Sequence, residues 1–74
     1  MNQKVRLMDR QERFMKMYPN IPLGARNEIV AVVDKVDLTY KDIYMMIIDK
    51  KGQLKIRLTK ALELMDLLHL IPFN

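Results

Sequence analysis

Arg6, Arg10 and Arg13 are spaced i, i+4, i+7, and Lys16 follows three residues later. On a helix that spacing sets the guanidinium groups along one face. A row of guanidiniums can track the phosphates of a nucleic acid and release counterions as it binds. Residues 1–26 hold six basic and two acidic side chains, which accounts for the whole net charge of +4. This skew makes backbone contact with nucleic acid, through Arg6, Arg10, Arg13 and Lys16, the first functional expectation. The plainer reading of the same residues is a solvated helix face on which Asp9 and Glu12 form local ion pairs.

Other chemistry is thinly supplied. The chain has no cysteine, no serine, two threonines and one histidine, so nucleophilic catalysis lacks its usual actors. Glu63, Asp66 and His69 recur every three residues, a spacing seen in metal sites on helices. Their precession sets Glu63 and His69 about 120° apart around the axis, which argues against a shared ion. Asp34, Asp37 and Asp42 surround a turn without the spacing and glycine of a calcium loop. Gly24 and Gly52 alone make no phosphate-binding glycine loop. The expectation is a non-enzymatic protein with no cofactor, no metal and no small-molecule substrate.

Seventy-four residues bound the chain to one expected domain, 1–74. A domain of this size buries only about 60% of its unfolded surface. With no disulfide or thiolate metal site available, the expected staple is self-association, most simply a homodimer, or unusually close packing. No apolar run approaches the ~20 residues that span a membrane. Met1-Asn2-Gln3-Lys4-Val5-Arg6 lacks the apolar stretch of a secretory signal. A cytoplasmic protein without a membrane partner is expected.

The elements that must position these residues read as an α+β domain. Leu7, Phe14 and Tyr18 fall together at helical period, with Met8 and Met15 beside them, so residues 4–18 read as a helix ended by Pro19. Asp9-Arg10-Gln11-Glu12 also resembles a capping box, which would start the helix at Asp9. Three strands are expected next. The first covers Glu28 to Leu38, the second Ile43 to Ile48, and the third Gln53 to Leu58 with clean alternation. Asp49-Lys50-Lys51-Gly52 reads as the turn between the last two, setting Tyr44 opposite Leu58 and Met46 opposite Ile56. Thr59 is the expected N-cap of a closing helix that Pro72 stops, with Ala61, Leu64, Met65, Leu67, Leu68 and Ile71 packed on the sheet. The architecture is therefore helix, three-stranded antiparallel meander, helix. A small five-stranded barrel, using residues 3–8 and part of 19–27 as strands, is the alternative.

This layout leaves a second functional expectation. Ile43, Met45 and Ile47 would share a mixed sheet face with Lys55 and Arg57, and Leu62 and Leu70 would fall on the polar arc of the last helix. Such surfaces suit a protein-interaction or self-assembling subunit.

Overall fold

The structure is a computed structural model that describes residues 3–49 and 55–72, with side chains described from Asp9 onward. It is a small α+β fold. In chain order the described elements are α1 (Gln3–Met17), two 3-10 turns (Tyr18–Asn20 and Leu23–Asn27), β1 (Ile29–Val33), β2 (Val36–Thr39), α2 (Tyr40–Ile48) and α3 (Lys55–Leu67). None of the described helices is long and apolar enough to cross a membrane.

The first helix matches its sequence pattern and runs unbroken through residues 3–8, so neither a start at Asp9 nor a strand there is formed. Pro19 sits in the first 3-10 turn, where its fixed φ is accommodated and its missing N–H costs nothing. Phe14 of this helix and Tyr18 of the turn that follows it point inward and are buried.

The expected first strand is two strands. Asp34 and Lys35 both adopt left-handed backbone, φ 52° and 66°, and reverse the chain between β1 and β2. Positive φ at both central residues is the signature of a two-residue hairpin turn of the primed kind. The ladder pairs Val33 with Val36, Val32 with Asp37 and Ala31 with Leu38, and is irregular between Ile29 and Ala31. Ala31, Val33 and Leu38 face the core, while Val32 and Val36 face out.

The expected second strand is a helix. Thr39 Oγ1 accepts from the Asp42 N–H at 3.1 Å, and Asp42 Oδ2 accepts from the Thr39 N–H at 2.9 Å, a reciprocal capping box. The cap satisfies two backbone donors at the start of the helix, where intrahelical acceptors are lacking. Ile43 and Met46, three residues apart, then point into the core together. The apolar run from 43 to 48, with isoleucine at 43, 47 and 48, yields to the cap and to packing, because strand preference is chiefly a fit to a half-buried surface.

The expected third strand is also helical over its described part. Residues 55–58 are the first turn of α3, and Leu58 joins Ala61, Leu62 and Met65 on one buried face at helical spacing. Thr59 is interior to this helix, not its cap, and its Oγ1 donates to the Lys55 carbonyl at 2.8 Å. The pairings of Tyr44 with Leu58 and Met46 with Ile56 therefore do not exist. The hairpin expected at 49–52, beyond Asp49, lies outside the described residues, as do Gln53 and Leu54. Among the described residues the sheet has two strands and does not close, so the barrel is excluded.

The last helix ends in a Schellman motif. His69 takes left-handed φ 57°, its N–H donates to the Asp66 carbonyl at 3.1 Å, and the Leu70 N–H reaches back to the Met65 carbonyl at 2.8 Å. The reversal folds Leu70 and Ile71 back onto the core. The core itself gathers Phe14, Ile43, Leu62, Met65 and Ile71, all fully buried, beside the inner face of the hairpin. Each such side chain contributes roughly 1.5–3 kcal/mol relative to exposure.

Candidate interaction surface

Two surfaces carry the candidate residues, and α3 lies between them. On its side toward α1 is a charged network. Arg13 is only 5% exposed, and its two terminal nitrogens grip both oxygens of Asp66 at 3.1 and 3.2 Å. Arg13 Nε also lies 3.0 Å from Asp9 Oδ2, one helical turn earlier. Arg10 Nε donates to Asp66 Oδ2 at 2.9 Å, and Arg10 Nη1 lies 4.0 Å from Glu63. One carboxylate thus receives three guanidinium hydrogen bonds, the strong class of polar contact. The hydrogen bonds from Arg13, and next those from Arg10, hold the Asp66 carboxyl below the usual aspartate range. Reciprocally, the bond from Asp66 raises the Arg13 guanidinium above its ordinary value.

These contacts change what the arginine row can do. Arg10 and Arg13 do not line an open basic face; they are held by acidic side chains from α3 and from their own helix. Lys16 is exposed, and the side chain of Arg6 lies outside the described residues. Arg26, another basic side chain of the N-terminal segment, donates to the Ile21 carbonyl at 3.0 Å and stacks over the Tyr18 ring at 4.6 Å. Tyr18 in turn stacks on Tyr44 with ring centroids 4.3 Å apart and planes 8° apart. The stack ties the 3-10 turn after α1 to α2, and the burial of Tyr18 leaves it no face for a base.

The second surface is the outer face of α3. The sequence reading placed Leu62 on a polar arc, yet Leu62 is fully buried, and Leu64, Leu67 and Leu68 are the leucines left outside. Leucines occupy so many positions of this helix that two phases were open, and Leu58 selects the one observed. Ile43 is likewise in the core, and Leu70 packs against it, so neither Ile43 nor Leu62 is available to a partner. Ile47 is partly buried against the core, and Met45 is exposed.

Along the outer face run Ile56, Lys60, Glu63 and Leu67, spaced i, i+4, i+7, i+11. Ile56 is 71% exposed and Leu67 76%, and the side chains of Lys60 and Glu63 are each about half exposed. Leu64 lies at the border with β1. There a shallow groove of about 310 Å³ is lined by Val32, Leu64 and Leu67, with Asp34, Lys60 and Glu63 at its rim. Lys60 Nζ lies 3.4 Å from Asp34 Oδ1 across this rim. The groove is open and apolar, suited to seating a side chain from another surface rather than enclosing a ligand.

His69, the one imidazole, serves the reversal after α3 and is exposed. Among the described residues no three histidine or acidic side chains cluster as metal ligands. What the sequence reading missed at this site is the partner of the arginines. A signal existed: Arg10 and Arg13 are three apart, and so are Glu63 and Asp66, which matches two facing helix surfaces. Comparison with protein-family models, with curated proteins and with solved structures finds no match to this chain.

Proposed function

We propose that the protein is a small non-enzymatic interaction module that self-associates through the outer face of α3 and the groove beside β1. The observation that carries this reading is the exposure of Ile56, Leu64 and Leu67 on one helix, with Val32 of the adjoining strand beside Leu64 and Leu67. Scattered exposed leucines are ordinary, but Val32, Leu64 and Leu67 line one groove together with Asp34, Lys60 and Glu63, and an apolar patch bordered by charge marks an interaction surface. The occupant is a second copy, because the stripe reads apolar, basic, acidic, apolar and so complements itself when reversed. The interface moves from Ile43, Leu62 and Leu70 to Ile56, Leu64 and Leu67, while Met45 stays exposed on α2 outside it.

The nucleic-acid reading gains no support from the geometry. Phosphate contact by Arg10 or Arg13 would require Asp66 to give up its hydrogen bonds, which leaves Lys16 as the exposed cation among the described members of that row.

Sedimentation equilibrium tests the proposal. One 13-residue helix face is smaller than a standard interface, so association should be weak, with a Kd of roughly tens of micromolar. Wild type should shift toward twice the 8.8 kDa chain mass as concentration rises, and Leu67→Glu should remain monomeric and folded. A wild type that stays monomeric to about 1 mM would remove the reading.

A further inference from the structure

The geometry points to an antiparallel α3–α3 pair across a two-fold axis, in which Lys60 of each chain meets Glu63 of the other and Ile56 meets Leu67. This assignment rests on the self-association reading above and adds its register. Lys60 and Glu63 have their midpoint between Ala61 and Leu62, and Ile56 and Leu67 have the same midpoint. All four side chains are exposed on one face of α3. A two-fold axis exchanges position i with position j, so a stripe is self-complementary when its members pair about one midpoint. Here both pairs do so, one apolar and one of opposite charge.

The parallel arrangement lacks this property. It would set Lys60 against Lys60 and Glu63 against Glu63, like charges that cost affinity at an interface. The antiparallel arrangement also fits the surroundings of each charge. Lys60 reaches Asp34 at 3.4 Å and Glu63 only approaches Arg10 at 4.0 Å, so neither exposed side chain is committed to a buried partner. Leu64, one residue from Glu63 on the side toward β1, flanks the contact, and the Val32 groove receives apolar side chains from the facing helix.

The test uses charge exchange and introduced thiols, the latter clean because the chain has no cysteine of its own. Lys60→Glu and Glu63→Lys should each weaken self-association at least about tenfold, since each creates two like-charge pairs. An equimolar mixture of the two should associate as well as wild type, and the double exchange Lys60→Glu/Glu63→Lys should associate by itself. Circular dichroism confirms that each variant is folded. Under mild oxidation, Ile56→Cys mixed with Leu67→Cys should give a mixed disulfide dimer. Either variant alone should cross-link slowly, because its two thiols would be separated along the axis by about 16 Å. Rapid cross-linking of Ile56→Cys alone, or charge variants that dimerise like wild type, would overturn the register while leaving self-association intact. A monomeric wild type would instead overturn the reading on which the register rests.

Discussion

Arg13 and Asp66, 53 positions apart in the chain, face each other with both guanidinium ends on both carboxylate oxygens at 3.1 and 3.2 Å. This pair joins the first helix to the last, and Arg10 reinforces it from one turn earlier. It turns two residues that the sequence offers to phosphates into part of the fold's own closure. A buried ion pair adds little net stability over an apolar pair of the same shape, but removing one partner leaves a charge stranded.

Asp66→Ala should therefore destabilise the protein by about 2–4 kcal/mol, the lower part of that span reflecting the partial exposure of Asp66. The double variant Arg13→Met/Asp66→Leu should recover most of the loss. Urea denaturation of the three proteins decides the matter. An Asp66→Ala midpoint equal to wild type would mean that the pair does not hold α1 to α3.

Acid should expose the same contact. The Asp66 carboxyl in the folded chain is held below its ordinary value by Arg13 and Arg10, so the unfolded chain takes up the proton first as pH falls. The stabilisation is then complete above the unfolded value and is lost as pH drops through the folded one. Thermal midpoints measured from pH 7 down to about pH 2 should fall below about pH 4 in wild type. Asp66→Asn should start lower and fall less, the two curves converging at the acid end. Parallel curves would place the acid sensitivity elsewhere.

Backbone strain offers two stabilising substitutions. Lys35 and His69 hold φ at 66° and 57°, where a side chain is disfavoured and glycine is not. Lys35→Gly converts the hairpin turn to Asp-Gly, a preferred pair for that geometry, and His69→Gly gives α3 the usual Schellman residue. Each should raise stability by about 0.5–1 kcal/mol, read from thermal melts, and Lys35→Val should lower it. A destabilised His69→Gly would show that the imidazole makes a contact worth more than the relief.

Much of this was legible in the sequence and some was hidden for definable reasons. The period of Leu7, Phe14 and Tyr18 located α1, and Pro19 located its end. The α2 helix had a written signal in Thr39-Tyr40-Lys41-Asp42, a capping box before an apolar run, but Ile43, Ile47 and Ile48 drew the reading toward a strand. The reversal at Asp34-Lys35 carried no glycine, so two short strands read as one long one. In α3 the alternation of Lys55, Ile56, Arg57 and Leu58 is too short to separate strand from helix. The surplus of leucines in that helix also left its phase open until Leu58, Leu62 and Met65 were seen together. For the site, the positive row was visible, but the facing of Glu63 and Asp66 on it is a tertiary fact.

The closure of Arg10 and Arg13 on Asp66 bears on nucleic-acid binding. Fluorescence anisotropy against labelled single- and double-stranded oligonucleotides, across a salt series, should give weak binding with a log–log slope no steeper than about −1 to −2. An open row of three or four cations would give roughly −3 to −4. The steeper slope, abolished by Arg10→Glu/Arg13→Glu with the fold intact, would reinstate the basic face.

The most direct test of the central claim is a methyl-labelled NMR dilution series, which asks whether α3's outer face is covered in solution. On dilution from about 1 mM to about 10 μM, the Ile56, Leu64, Leu67 and Val32 methyl signals should shift together along one binding curve, while those of buried Ile43 and Leu62 stay in place. Signals that do not move with concentration, or that move at α1 and not at α3, would contradict it.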